Sequence, residues 1–164
     1  MDVGLVITRI IHIIAGSFWV GTAIYLAMLL EPRARSIPSE DLERQLLNRT
    51  SKLNSLWITS SAAVTMITGM ALVSATPDHS FSDLGRGGWG TMILIGLIAS
   101  LAAFFVSGGA GAFTAKLRRG LESGNASEEQ LAGYRRSLTI LGYVNAVLVI
   151  VAVGTMATAR YAVG

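Results

Sequence analysis

The chain has 164 residues, of which 52% are hydrophobic and only 14% charged, and its mean hydropathy is +0.56. A soluble domain of this size carries about 25% charge, so the composition points away from a water-soluble globule. With no cysteine, disulfides, thiolate zinc sites and iron–sulfur clusters are excluded, and the net charge of +3 at a pI near 9.7 sits beside apolar blocks, which speaks for membrane topology and against nucleic acid as a partner.

The first apolar block predicts a membrane span over residues 6–30. It begins almost at once but is too long for the h-region of a cleavable signal peptide, which is about 7–15 residues. Arg9 and His12 are its only ionisable groups. A charged stretch follows. Within it, Pro38-Ser39-Glu40-Asp41 reads as a helix start, with Ser39 as the cap and two acids facing the positive end of the dipole. One continuous helix is expected from about Glu40 to Ser74, its first turns outside the bilayer and residues 55–75 forming span two. A polar, glycine-bearing loop from Ala75 to Gly90 contains His79, which is expected to be solvated. Span three covers residues 89–113 and ends at Lys116, Arg118 and Arg119. Ser127 with Gln130 three residues later reads as a capping box. It opens a helix that becomes span four, residues 138–159.

Each block is about 20 residues or longer, enough to cross a hydrocarbon core of roughly 30 Å at about 1.5 Å per residue. The expected fold is therefore all-α: one domain, residues 1–164, forming a transmembrane four-helix bundle in which helices 2 and 4 extend beyond the membrane. The first and third connections hold ten Lys and Arg residues against three (Arg9, Arg86 and Arg160) on the opposite side. The positive-inside rule then places those connections in the cytoplasm and both termini outside. The expected location is a bacterial inner membrane.

His12 is the one histidine inside a span, about a turn below the outer boundary. Gly16 and Trp19 follow at i+4 and i+7 on the same helix face. An ionisable side chain in a span is costly and by default functional, and neutral imidazole is both cheap to bury and a common axial ligand of haem. The alternatives are that His12 only hydrogen-bonds a neighbouring helix or snorkels to the interface, or that it transfers protons. Met66, Met70, Met92 and Met156 fall in the same leaflet as His12, so thioether and imidazole could together ligate haem iron or hold copper as soft donors; the plainer alternative is that these methionines fill space. Arg9 can face headgroups or the propionates of a haem. The polar side chains of Thr59, Ser60, Ser61, Thr65 and Thr68 on span two and of Thr139, Asn145, Thr155 and Thr158 on span four are expected to bond across helices, with a polar lining for a substrate path as the alternative, and the small residues Ser107 to Ala112 to let helices pack closely. No nucleophile–base pair, phosphate loop or paired carboxylates mark an enzyme.

The segment His12-Ile13-Ile14-Ala15-Gly16-Ser17-Phe18-Trp19-Val20-Gly21 resembles the first-helix pattern H-x-x-x-G-x-x-W-x-G of a superfamily of small membrane proteins. That superfamily includes the copper resistance protein D family, the membrane part of certain urate oxidases, and HemJ-type protoporphyrinogen oxidases. The stretch Tyr25 to Pro32 resembles the continuation. The resemblance implies a four-helix unit and, from its HemJ-like members, a b-type haem ligated by His12. Where HemJ-like proteins carry a further histidine and a lysine, this chain has Arg33 and Met92, so the resemblance does not extend to their oxidase chemistry. The expected function is a haem b-binding electron-transfer protein or redox-complex subunit, with His12, Gly16, Trp19, Met66, Met70 and Arg9 around the cofactor. Copper handling through His12, Met66, Met70 and Met92 is one alternative. A cofactor-free accessory subunit is the other. One membrane histidine per chain makes a homo-oligomer or a larger complex the expected assembly.

Overall fold

A computed structural model describes residues 2–35, 39–77 and 79–162. Pro38, read above as part of a helix start, and Asp78 of the second connection lie outside them. Among the described residues all regular structure is helical: α1 (Val3–Tyr25), a π-helical turn (Leu26–Leu30), α2 (Glu31–Arg35), α3 (Glu40–Ala75), a 3-10 turn (Phe81–Asp83), α4 (Gly87–Ser123), α5 (Glu128–Thr158) and a closing 3-10 turn (Ala159–Tyr161).

Four helices are long and apolar enough to cross a membrane, over Val3–Arg33, Leu53–Ala75, Gly87–Ser123 and Glu128–Tyr161. The chain is thus an all-helical protein of the membrane class. The 36 residues of α3 and the 37 of α4 reach roughly 54–56 Å at about 1.5 Å per residue, well beyond a core of about 30 Å. The extension of α4 differs from the expected end near residue 113. Leu117 and Leu121 on its last turns pack against Leu131 of α5, with Leu47, Tyr134 and Leu138 around them. That apolar stripe prolongs the helix past its basic residues.

The helix ends follow local chemistry. Asp2, which the sequence reading passed over, caps α1, its carboxylate accepting from the N–H groups of Gly4 and Leu5. Ser127 and Gln130 form the expected capping box on α5. Ser39 occupies the N-cap position of α3, but its side chain makes no capping bond, so the acids Glu40, Asp41 and Glu43 alone favour that terminus. Gly124 ends α4 with φ of 66°, a left-handed conformation that glycine adopts without strain.

α4 packs along α5 and α1 along α3, and contacts of α3 with α4 and of α1 with α5 join the two pairs. Trp19, Ala23, Ala62, Ala103 and Val149, drawn from all four long helices, form the central core. Outward faces are apolar too: Ile10, Ile14 and Phe18 on α1, Ile67 on α3, Phe105 on α4 and Ile150 on α5 are exposed. Apolar residues on both faces are what a helix needs when its outer solvent is lipid.

The hydroxyls turn mainly to their own helices, although that of Thr68 also meets His12 across α1 and α3, as expected of an interhelical contact. Ser60, Ser61, Thr65, Thr68, Thr139, Thr155 and Thr158 each donate to a carbonyl three or four residues earlier on their own helix. Such back-bonding satisfies a hydroxyl in a low-dielectric surround without a partner helix. His79 also departs from its expected solvation. Its ring stacks on Trp89, with centroids 3.9 Å apart and planes 7° from parallel.

Candidate functional site

The site begins with one interhelical contact. His12 projects from α1 onto α3, where its Nδ1 lies 2.9 Å from the carbonyl oxygen of Thr65 and 3.2 Å from the hydroxyl of Thr68. A carbonyl can only accept, so Nδ1 carries the proton. In the neutral ring the lone pair is then on Nε2. Gly69, one turn beyond Thr65, makes room for the ring: a Cβ there would stand 2.9 Å from the imidazole Cε1. Thr65, Thr68 and Gly69 follow i, i+3, i+4 spacing and so form one patch.

Gly16, one turn along α1, faces the same helix. A Cβ on it would meet the Thr65 methyl at 3.4 Å, so His12 and Gly16 both rest on the Thr65 ridge. Trp19 is 2% exposed and lies in the central core, with its indole Nε1 buried and unpartnered among the described residues. Met66 and Met70 each follow a His12-contacting residue by one position, which turns them about 100° around the helix axis. Met66 is half-buried and Met70 exposed. Met156 packs on Gly96, where a Cβ would come within 2.7 Å of its Cγ. Met92 is half-buried near the start of α4, and Arg9 is exposed one turn before His12. The structure thus brings His12, Gly16 and Thr65 together and spreads the methionines over different faces.

Among the described residues no group of three or more His, Cys, Asp or Glu side chains is placed to hold a metal ion. The donor set at His12 still fits a haem iron. One imidazole is anchored through Nδ1 to a backbone carbonyl, the arrangement that fixes tautomer and ring orientation in ligating histidines.

A second feature lies toward the other end of the helices, the end that holds the α2–α3 and α4–α5 connections. A cavity of about 830 Å³ opens there between α1, α3, α4 and α5. Its walls include Ile58, Leu138 and Leu141, with Ser107 and Asn145 among the polar lining. Charged residues stand at the connection end. Arg135 binds Glu43 through two bonds, Nε to Oε1 at 3.1 Å and Nη2 to Oε2 at 2.5 Å, which tie α5 to α3. A smaller cavity of about 320 Å³ shares Ile58, Thr59, Ser107 and Gly108 with the first. Neither reaches His12. Sequence reading missed this region because it took Ser107 to Ala112 as a close-packing stripe. In the structure a Cβ on Gly108 or Gly111 would meet nothing within 4 Å. On α4 the close approaches fall at Gly88, Gly90, Gly96 and Gly120 instead.

No protein-family model, curated protein or solved structure matches the chain.

Proposed function

We propose that this protein is a haem b-binding membrane protein that serves in electron transfer or as a subunit of a redox complex, with His12 as an axial ligand. The observation that carries the reading is the bond from His12 Nδ1 to the Thr65 carbonyl. It leaves Nε2 as a preoriented nitrogen donor, and the resemblance of the His12–Gly21 segment to the superfamily named above points to the same residue. A bound haem would supply a one-electron couple inside the bilayer. The chain's own residues then have defined tasks. Thr65 and Thr68 hold the ring, Gly69 gives it space, and Arg9, exposed one turn away, is placed to pair with an anionic edge group.

The surrounding frame in this reading is a four-helix bundle in a bacterial inner membrane. The connections rich in Lys and Arg face the cytoplasm and both termini lie outside. Since His12 rests on the flank of the α1–α3 pair and each chain has one membrane histidine, the second axial donor comes from a second copy or from a partner subunit. The separation of Met66 and Met70 from the His12 patch favours iron held by one imidazole of this chain over a chelating copper set. The competing reading, an accessory subunit without cofactor, takes the His12–Thr65 bond as an interhelical clasp and is favoured by the distance of both cavities from His12.

An absorption spectrum of detergent-purified protein, produced with ample haem, tests the proposal. A Soret band and a pyridine haemochrome of the b type, both lost in His12→Asn, are expected. A colourless protein would overturn the haem reading and leave the clasp.

A further inference from the structure

The large cavity presents a chemical imbalance at its inner end. Ser107 on α4 and Asn145 on α5 both line it. Asn145 is 9% exposed, and its Oδ1 is buried without a hydrogen-bond partner among the described residues. The Oγ of Ser107 is in the same condition. Leaving a buried donor or acceptor unsatisfied costs about 1–3 kcal/mol, and lipid offers no compensating bond. Two such groups on facing helices, bordering one void, are complementary to a ligand that can both donate and accept.

The rest of the cavity narrows the ligand further. Ser107 lies one turn from Ala103, and Asn145 one turn from Val149, two residues of the core that also holds the buried Trp19. Along α4, Gly108 and Gly111 present bare backbone to open space, a flat wall against which a planar ring can lie. The remaining walls are largely aliphatic, including Leu26, Ile58 and Leu141. At α1 the helix widens into the π-helical turn Leu26–Leu30, and the next residue, Glu31, sets its carboxylate beside Gly142, where a Cβ would stand 3.2 Å from Oε1. Single-turn π-helices recur at functional sites, and here the turn contributes Leu26 and Leu30 to the lining. Gly142 lies one turn from Asn145, so the Glu31 carboxylate stands near this end of the cavity, which suits an uncharged head carrying hydroxyl donors and disfavours an anionic one. A volume near 830 Å³ falls within the range of about 300–1,000 Å³ usual for small-molecule sites.

We propose that this cavity binds a flat, uncharged, lipid-soluble ring compound bearing hydroxyl groups, of the quinol class, with the Asn145 Oδ1 accepting from one hydroxyl and Ser107 as the second polar anchor. The inference does not rest on the haem reading, since the site shares no residue with the His12 patch.

The experiment is equilibrium binding of a decyl-substituted benzoquinol, kept reduced, to the full chain in lipid nanodiscs, with empty nanodiscs measuring simple partitioning. Saturable binding is expected. Asn145→Leu keeps the volume and removes the polar anchor; it should weaken binding by about tenfold, the equivalent of one hydrogen bond to a buried group. Gly111→Leu places a side chain in open space and should abolish binding while leaving the melting temperature near that of the parent. Partitioning no greater than in empty nanodiscs would overturn the proposal, as would saturable binding that both variants leave unchanged. His12→Asn should bind the benzoquinol like the parent, so failure here and failure of the haem reading are separately visible.

Discussion

His12 and Thr65, 53 positions apart in the chain, meet through a 2.9 Å contact between an imidazole nitrogen and a backbone carbonyl. The contact crosses from α1 to α3, with the Thr68 hydroxyl 3.2 Å from the same nitrogen and Gly69 beside the ring. Polar contacts between membrane helices are worth roughly 0.6–2 kcal/mol. His12→Ala should therefore lower stability in detergent by about that amount. His12→Asn, which can keep a donor toward Thr65, should lose less. The two effects separate when thermal melts are read beside the Soret absorbance: a haem ligand loses colour in both variants, a clasp loses stability mainly in the alanine.

Gly69 tests the same contact from the other side. An added Cβ would press on the imidazole at 2.9 Å, and the ring is the movable partner. Gly69→Ala should displace His12 from Thr65 and reduce haem retention. The effect on folding should be small, because alanine gains about 0.5–1 kcal/mol over glycine in a helix interior. Gly90 gives the contrast. There the Cβ would fall 1.8 Å from the carbonyl oxygen of Asp83, and backbone cannot step aside. Gly90→Ala should cost about 1–3 kcal/mol or more, the range known for overpacking. Gly108→Ala, facing open space, should be neutral or stabilising. Melting temperatures of the three variants in one detergent check the order.

Arg135 and Glu43 hold α5 to α3 at the connection end, with Glu43 12% and Arg135 29% exposed at the side chain. The guanidinium meets both carboxylate oxygens, which is the geometry that lysine cannot reproduce. Glu43→Gln should cost about 1.5–3 kcal/mol, the range for a hydrogen bond to a charged group, reduced by whatever solvent screens Arg135. The stability of Arg135→Lys should fall between that of Glu43→Gln and that of the parent chain. A double-mutant cycle with Glu43→Gln and Arg135→Gln, read by chemical denaturation in mixed micelles, should give a coupling close to the single losses. Simple additivity would show that the pair contributes little.

The spans and the outline of the helices were legible in the residues because burial in lipid needs only an uninterrupted apolar run, a property of one dimension. The capping box at Ser127 and Gln130 was legible for the same local reason. What escaped were features that depend on which side a residue faces. Nothing singled out Thr65 and Thr68 among the span-two hydroxyls as the partners of His12, and most of the hydroxyls read as interhelical bonds turned back on their own helices. The run from Ser107 to Ala112 permits close packing and equally permits a void; only the placement of α5 and α1 decides between them. The widening at Leu26–Leu30 has no residue signature at all, since Leu-Ala-Met-Leu-Leu is an ordinary helix sequence. Of the candidate site, the importance of His12 could be read from its isolation in a span, whereas its partners could not.

Asp83 supplies the pH prediction. Its carboxylate accepts from the Ser80 hydroxyl at 2.9 Å and from the Ser80 N–H at 2.7 Å, and this pairing pulls its pKa below the usual carboxylate value, with His79 and Arg86 adding smaller effects in the same direction. A carboxyl group whose pKa is lowered by folding stabilises the folded loop when ionised. That contribution is complete above the unfolded value of 3.8 and disappears as pH falls through the lower folded value. The α3–α4 connection should therefore hold from neutral pH down to mildly acidic conditions and loosen only in strong acid. Hydrogen exchange at the Ser80 amide, measured against pH, should show protection falling on the acid side. In Asp83→Asn that protection should be weaker at neutral pH and the acid-side change should vanish. Equal protection in the variant and the parent chain at neutral pH would mean that the carboxylate does not hold the turn, and the stacking of His79 on Trp89 would then be the contact that orders this connection.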